Sequence, residues 1–182
     1  MIIFWLFIFL FGCIIAVIFS FNALINTLRF GLPFVSTPKW AIEWLRDNYS
    51  LTEKDVVIEL GCGSAPMLAA WAKKYPQTKF IGIEIQWWPY LLAKWRTRNF
   101  PNVNIQLGDF LKQDLSQATL IYGFFITVMM PKVAKLLEQQ LHNGIPVISF
   151  GFALPGWTSE REITNPKTGK GSRIRMYRSS QS

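Results

Sequence analysis

Three acids, Glu59, Glu84 and Asp109, close apolar, β-branched runs, and the first opens the turn Glu59-Leu60-Gly61-Cys62-Gly63-Ser64-Ala65-Pro66. Glycines at this spacing let the backbone turn tightly and approach a ligand closely. A helix opened by Pro66 presents its N-terminus, which favours negative charge, to the same place. Glu84 follows Glu59 by 25 residues, where a carboxylate can accept hydrogen bonds from both hydroxyls of a ribose. Asp109 next to Phe110 sets an acceptor beside an aromatic face, suited to an adenine amino group and ring. Singly, each has a plainer reading. A Gly-x-Gly is often only a connection, a lone acid at a strand end is usually solvated, and Asp109 can simply cap the next element. Their order in one alternating frame is what argues for a nucleoside ligand.

The elements that must position these residues alternate. Strands are predicted at 55–60, 79–85, 103–109, 118–125 and 145–152. Helices are predicted at 66–74, at 87–99 with Pro89 in the first turn, and at 131–142, stopped at Asn143-Gly144. Ahead of them "PKWAIEWLRDNY" (38–49) reads as a short amphipathic helix, and the prolines after Leu32 and Thr37 make the lead-in extended or turned. Near-continuous apolar strands separated by helices mean a parallel sheet covered on both faces. In the tail, "SEREIT" and "SRIRMYR" flank the turn-rich "NPKTGKG" and read as an antiparallel hairpin. The fold class is α/β: a doubly wound, mostly parallel, Rossmann-like sheet closed by that hairpin. Such sheets bind ligands at the carboxyl ends of their strands.

The N-terminus is of another kind. No charged side chain occurs from Met1 to Leu28, and "IIFWLFIFLFGCIIAVIFSF" is almost wholly apolar. A spanning helix needs roughly 20 such residues. A signal peptide would show a basic start and a small-residue cleavage site, and neither is present. The division expected is a transmembrane anchor at 1–28, a lead-in with a short helix at 29–50, and the main domain at 51–182. All 19 Lys and Arg and all 11 Asp and Glu follow the span, so the net charge of +8 belongs outside the bilayer. Arg29, Lys39 and Arg46 after an uncharged start place the domain in the cytoplasm and the N-terminus outside. A basic domain next to a membrane can rest on anionic headgroups. Cys13 in the span and Cys62 in the turn are poorly placed to pair, which excludes a disulfide framework. The lone His142 sits beside a helix stop, where a structural role is favoured. No Cys/His set has metal spacing, and no Ser-His-acid set can be argued.

A dinucleotide fold asks for glycine at the position of Pro66 and for no acid two residues before the first glycine. The pattern Glu59-x-Gly61-x-Gly63, with Glu84 and Asp109 at the next two strand ends, instead resembles the class I, seven-stranded S-adenosylmethionine methyltransferases. Ala65 stands where those enzymes carry a third glycine. "PFVSTPKWAIEWL" ahead of the sheet, "QWWPY" after Glu84, and "IYGFFITVMMPKVAKLLEQQL" with "GIPVISFGFALPGW" further on resemble a narrower group. These are the membrane-anchored lysine methyltransferases of the ATP synthase c-subunit and the adenine nucleotide carrier, with their shorter prokaryotic relatives. The likeness covers most of residues 30–178. It implies S-adenosylmethionine as cofactor, held by Thr37, Glu59, Gly61, Cys62, Gly63, Glu84, Ile85, Asp109 and Phe110, with Phe34 also covering it. It implies a lysine on a membrane protein as substrate. The apolar span makes the lipid bilayer a partner, residue spacing leaves no metal expected, and nucleic acid is disfavoured because an anchor restricts access and no aromatic-and-basic strip stands out.

A desolvated channel would favour the neutral amine, so no dedicated base is compulsory. Tyr122, Phe124 and Trp157 are the channel candidates, with Phe125 and Phe152 read as core. Trp87 and Trp88 read as helix-packing or membrane-interface residues. The alternatives are methylation of a lipid or small molecule, or a cofactor-binding membrane module without turnover.

Overall fold

The computed structural model describes residues 1–30 and 36–180 and, within the first helix, the side chains of residues 2–18 and 20. Its internal contacts divide it into Met1–Val35 and Ser36–Ser182. The first unit is one helix, α1, over Ile2–Phe30. Among the described residues no helix is long and apolar enough to cross a membrane. The described side chains of α1 run unbroken from 2 to 18, short of the roughly 20 apolar residues of a span. The transmembrane helix expected from the sequence is therefore not shown. Leu32 and Phe34 lie outside the described residues.

The second unit contains α2 (Lys39–Asn48), β1 (Val56–Leu60), α3 (Pro66–Lys74), β2 (Lys79–Glu84), α4 (Trp87–Thr97), β3 (Val103–Leu107), β4 (Leu120–Phe124), α5 (Met130–Gln140), β5 (Pro146–Gly151), β6 (Arg161–Ile163) and β7 (Arg173–Arg178). The strands form one sheet in the order β3-β2-β1-β4-β5-β7-β6. β1 to β5 are parallel, and β7 runs antiparallel to both β5 and β6. The tail hairpin thus enters the sheet through its second strand. The order reverses between β1 and β4, and ligands of such sheets sit outside the carboxyl ends at that point.

Each face of the sheet is covered, as the unbroken apolar strands require. On one face Ala41 and Leu45 of α2, Met67, Leu68 and Trp71 of α3, and Ala93 of α4 pack on Val57, Tyr122, Ile148 and Phe150. On the other, Val133, Ala134 and Leu137 of α5 pack on Ile58, Ile121, Val147 and Tyr177. α2 therefore shares the core of the sheet unit. Proline sets the helix starts: Pro66 opens α3 and Pro131 lies in the first turn of α5. α5 stops at Gln140, before Asn143-Gly144. Its end is fixed by tertiary bonds, with the Gln140 amide donating to the Gln113 carbonyl and its oxygen accepting from the Leu115 N–H.

Candidate functional site

β1 delivers the glycine turn to the switch point. The Gly61 and Cys62 N–H groups both donate to the Ile83 carbonyl, at 2.9 and 3.0 Å, so the turn is stitched to the end of β2. Gly61 (φ 70°), Gly63 (φ 55°) and Ala65 (φ 52°) all adopt the left-handed region. Ala65 occupies the place where the methyltransferase pattern has glycine. It does so at a steric cost of roughly 1–2 kcal/mol and is fully buried at the start of α3.

Glu84 ends β2 with its carboxylate held on both sides. Oε2 accepts from the Gly63 N–H and Oε1 from the Gln86 N–H, each at 2.8 Å. Its backbone carbonyl accepts from Gly108 N–H at the end of β3. Glu59 lies deeper, 4 % exposed. The Leu68 N–H in the first turn of α3 donates to its carboxyl, satisfying one of the open donors of that helix. Oε2 of Glu59 is buried with no hydrogen-bond partner. Burial, and then the charge of Glu84, push the Glu59 pKa well above the carboxylate range, against the Leu68 bond. Burial also raises Glu84, opposed by its backbone bonds. Cys62 is buried beside them. Its thiol is pushed well up by burial, then by Glu59 and Glu84, so it stays neutral.

Room for this arrangement comes from Gly82. It is paired in register with Glu59 on one side and Ile105 on the other. A Cβ there would lie 2.8 Å from Cys62 Sγ, 2.8 Å from Leu68 Cδ1 and 2.9 Å from Ile105 Cδ1. From outside, Arg96 of α4 donates to the Ser64 carbonyl at 2.9 Å and to its hydroxyl at 2.8 Å, pinning the turn that the acids surround. Neither Gly82 nor Arg96 is among the residues picked from the sequence. A glycine inside a strand, in "KFIGIEI", is the one local signal for the first. Arg96 carries no signal, because its partner is distant in sequence.

Of the other expected residues, Asp109 caps a 3-10 turn over Phe110–Lys112, its Oδ1 accepting from the Leu111 N–H at 3.0 Å. The plainer reading of this acid thus holds for one of its oxygens. Phe110 is half-buried, its ring 5.9 Å from that of Phe125. Ile85 stands exposed beside Glu84. Thr37 and Tyr122, far apart in sequence, share a buried hydroxyl–hydroxyl bond of 2.8 Å. Tyr122 is fully buried, and burial together with Glu59 raises its pKa against the Thr37 bond. As placed, it anchors Thr37 to β4 and lines no open channel. Phe124 is half-buried at the end of β4, edge-on to Phe150 at 4.9 Å. Trp157 is not gathered with them. Its indole N–H donates to Glu138 of α5, and its ring packs 6.2 Å from Tyr177, which pairs with Val147 at the amino end of β5. Phe125 is core as expected, whereas Phe152 is exposed.

The arrangement is a turn of left-handed backbone at a switch point, flanked by two buried acids that repel one another. One acid has an open oxygen. It suits a ligand with hydroxyls for Glu84 and positive charge for Glu59, which fits S-adenosylmethionine, the cofactor expected from the sequence.

Comparison with known proteins agrees. A protein-lysine N-methyltransferase of Saccharolobus islandicus (strain REY15A) is 27% identical over 135 residues, 72% of this chain and 84% of that protein. The mouse lysine N-methyltransferase of the ATP synthase c-subunit is 27% identical over 119 residues, 63% of this chain and 45% of that protein. The matched part is therefore about half the length of the vertebrate relative. In fold, an RNA methyltransferase of Salinibacter ruber, solved with S-adenosyl-L-homocysteine, superposes with a TM-score of 0.73 at 23% identity, over 81% of this chain and 95% of that one. Residues 59–161, from the buried acid of β1 to the start of β6, match the family described as the ANTKMT methyltransferase domain. The chain belongs to that family of methyltransferases.

Proposed function

We propose that the chain is a membrane-anchored protein-lysine N-methyltransferase that holds S-adenosylmethionine at the carboxyl ends of β1, β2 and β3. The observation that carries the donor site is the acid pair Glu59 and Glu84 around the glycine turn. When bound, S-adenosylmethionine supplies a methyl group on a cationic sulfur. Glu84 uses the lone pairs left by its two backbone bonds to accept from the ribose hydroxyls. Glu59, held above the carboxylate range by burial, would give up its proton beside the positive end of the donor, to which it presents one open oxygen. Asp109 and Phe110 take the adenine edge and face, Gly61, Cys62, Gly63 and Ile85 line the approach, and Thr37, fixed by Tyr122, covers it.

A substrate lysine must arrive neutral, because only the free amine has a lone pair for in-line attack. Its nitrogen forms the new N–C bond as the S–C bond breaks, and its proton leaves to solvent beforehand. Apolar surroundings favour the uncharged amine. Phe124, with exposed Phe152 and Val128 at the ends of β5 and β4, gives this mouth its apolar lining. Tyr122 serves as no base, since it is buried, bonded to Thr37 and raised. Alignment and exclusion of water thus provide the catalysis.

The names of the relatives support lysine as the acceptor. The uncharged start and the apolar run of α1 support a single span with the domain on the cytoplasmic side, which makes a membrane protein the substrate. Calorimetric titration of the full chain with S-adenosylmethionine tests the site. Glu84→Ala should weaken binding by about 1.5–3 kcal/mol in a variant that keeps native circular dichroism. Unchanged affinity removes Glu84 from the site, and preference for a nicotinamide dinucleotide overturns the donor assignment.

A further inference from the structure

α4 carries its apolar residues on the wrong side for a soluble helix. Its packed face is small: Pro89, Ala93 and Thr97 are buried at helical spacing. The side turned outward holds Trp88 (56 % exposed), Leu91 (39 %), Leu92 (37 %) and Trp95 (65 %), with Trp87 (61 %) at its start. An exposed apolar patch of this kind marks an interaction surface. Its charge has one sign. Lys94, Arg96 and Arg98 lie on or just beyond α4, and no Asp or Glu occurs between Glu84 and Asp109. Arg96 is committed to Ser64. Arg98 lies over the Trp95 ring at 4.6 Å, and Lys94 is exposed.

We infer that α4 is an interfacial helix that lays the catalytic domain on an anionic bilayer surface. Tryptophan prefers the headgroup level, where its ring is half in hydrocarbon and its N–H in water. Leucines between the tryptophans add apolar depth, and cations at the border pair with anionic headgroups. A second copy fits worse, since it would bring the same cations face to face. The tryptophans and cations could also stack on and pair with a nucleic acid strand, but Leu91 and Leu92 between them add exposed apolar surface that a strand leaves wet and a bilayer buries. α4 starts two residues after Ile85, itself exposed at the end of β2. Contact along this helix therefore keeps the mouth of the site at headgroup level. The inference needs neither the lysine reading nor a span through α1.

The test uses the full chain with Cys13→Ser and Asn99→Cys, labelled with an environment-sensitive nitrobenzoxadiazole dye. Asn99 is exposed, one turn beyond Trp95, and Cys62 is buried and does not compete for label. The control carries the dye at Asp114→Cys, exposed next to the core of the other sheet face. In vesicles of phosphatidylcholine with phosphatidylglycerol, the dye at 99 should shift to the blue and be quenched by headgroup spin-labelled lipid, while the dye at 114 is unaffected. Vesicles of phosphatidylcholine alone should weaken the effect. Lys94→Ala and Arg98→Ala should each lower the docking equilibrium about fivefold. Equal behaviour at 99 and 114 overturns the inference. So does a shift that follows protein concentration without lipid, which is self-association, or one that appears on adding single-stranded RNA alone. A sample labelled at native Cys13 reports α1 separately, so failure of the anchor and failure of the α4 contact are read apart.

Discussion

Glu59 is held against its own charge. Its raised pKa means that between the unfolded and folded values the folded chain binds more protons. That contribution to stability is present at acid pH and is lost as pH rises through the raised folded value. Glu84 is shifted in the same direction. Glu59→Gln removes the ionisation, so its stability relative to the natural chain should grow as pH rises above the ordinary carboxylate range. The same variant should bind S-adenosylmethionine more weakly, because the positive end of the donor loses its counter-charge. Thermal melts across pH, paired with titrations, read the two opposite signs, and a variant that loses both stability and affinity at neutral pH contradicts the account. Tyr122→Phe separates positioning from catalysis. It should cost about 0.5–1.5 kcal/mol of stability for the lost bond to Thr37 and weaken donor binding. It should spare the maximal rate, where loss of a general base would cost roughly 10²–10⁴-fold. Glu59, Glu84 and the glycines were legible because their signal is local: an acid or a glycine at the end of an apolar run. The Thr37–Tyr122 bond and the hold of Arg96 on Ser64 were not, because each joins residues that only the fold brings together.

Gly82 shows how a strand makes space for a site. The three side chains that a methyl group would meet lie in the turn, in α3 and in β3, so no single one can move away to admit it. Gly82→Ala should destabilise the chain by about 1–3 kcal/mol through overpacking. It should also weaken donor binding, since Cys62 is pushed within the turn. Denaturant unfolding with a parallel titration checks this, and a stable variant with intact affinity contradicts it. Strand and helix order from β1 to β5 could be read from the sequence, because apolar runs and proline-marked starts are local. The end of α5 falls earlier than the Asn143-Gly144 signal, since Gln140 bonds to the segment before β4. The insertion of β7 between β5 and β6 is set by pairing across the sheet. The pattern of "SEREIT" and "SRIRMYR" specifies two strands and a turn, and leaves open which of the two meets β5. Trp157 departs from the channel expected of it for a related reason: the chain after β5 turns back toward α5, a course that aromatic content does not report.

At the scale of the molecule, an apolar helix with no charged side chain before Arg29 precedes a basic catalytic unit whose site lies at one end of its sheet. A cytoplasmic orientation predicts that protease added outside intact cells spares the sheet unit, and digestion without lysis would reverse it. The direct test of the account is the fate of the methyl group. Full-length protein is incubated with methyl-labelled S-adenosylmethionine and host membranes, and the labelled molecule is identified by mass spectrometry. The account predicts label on a lysine of a membrane polypeptide, reduced when residues 1–28 are deleted. Label found only in lipid or RNA, or on arginine or carboxylate side chains, would contradict it.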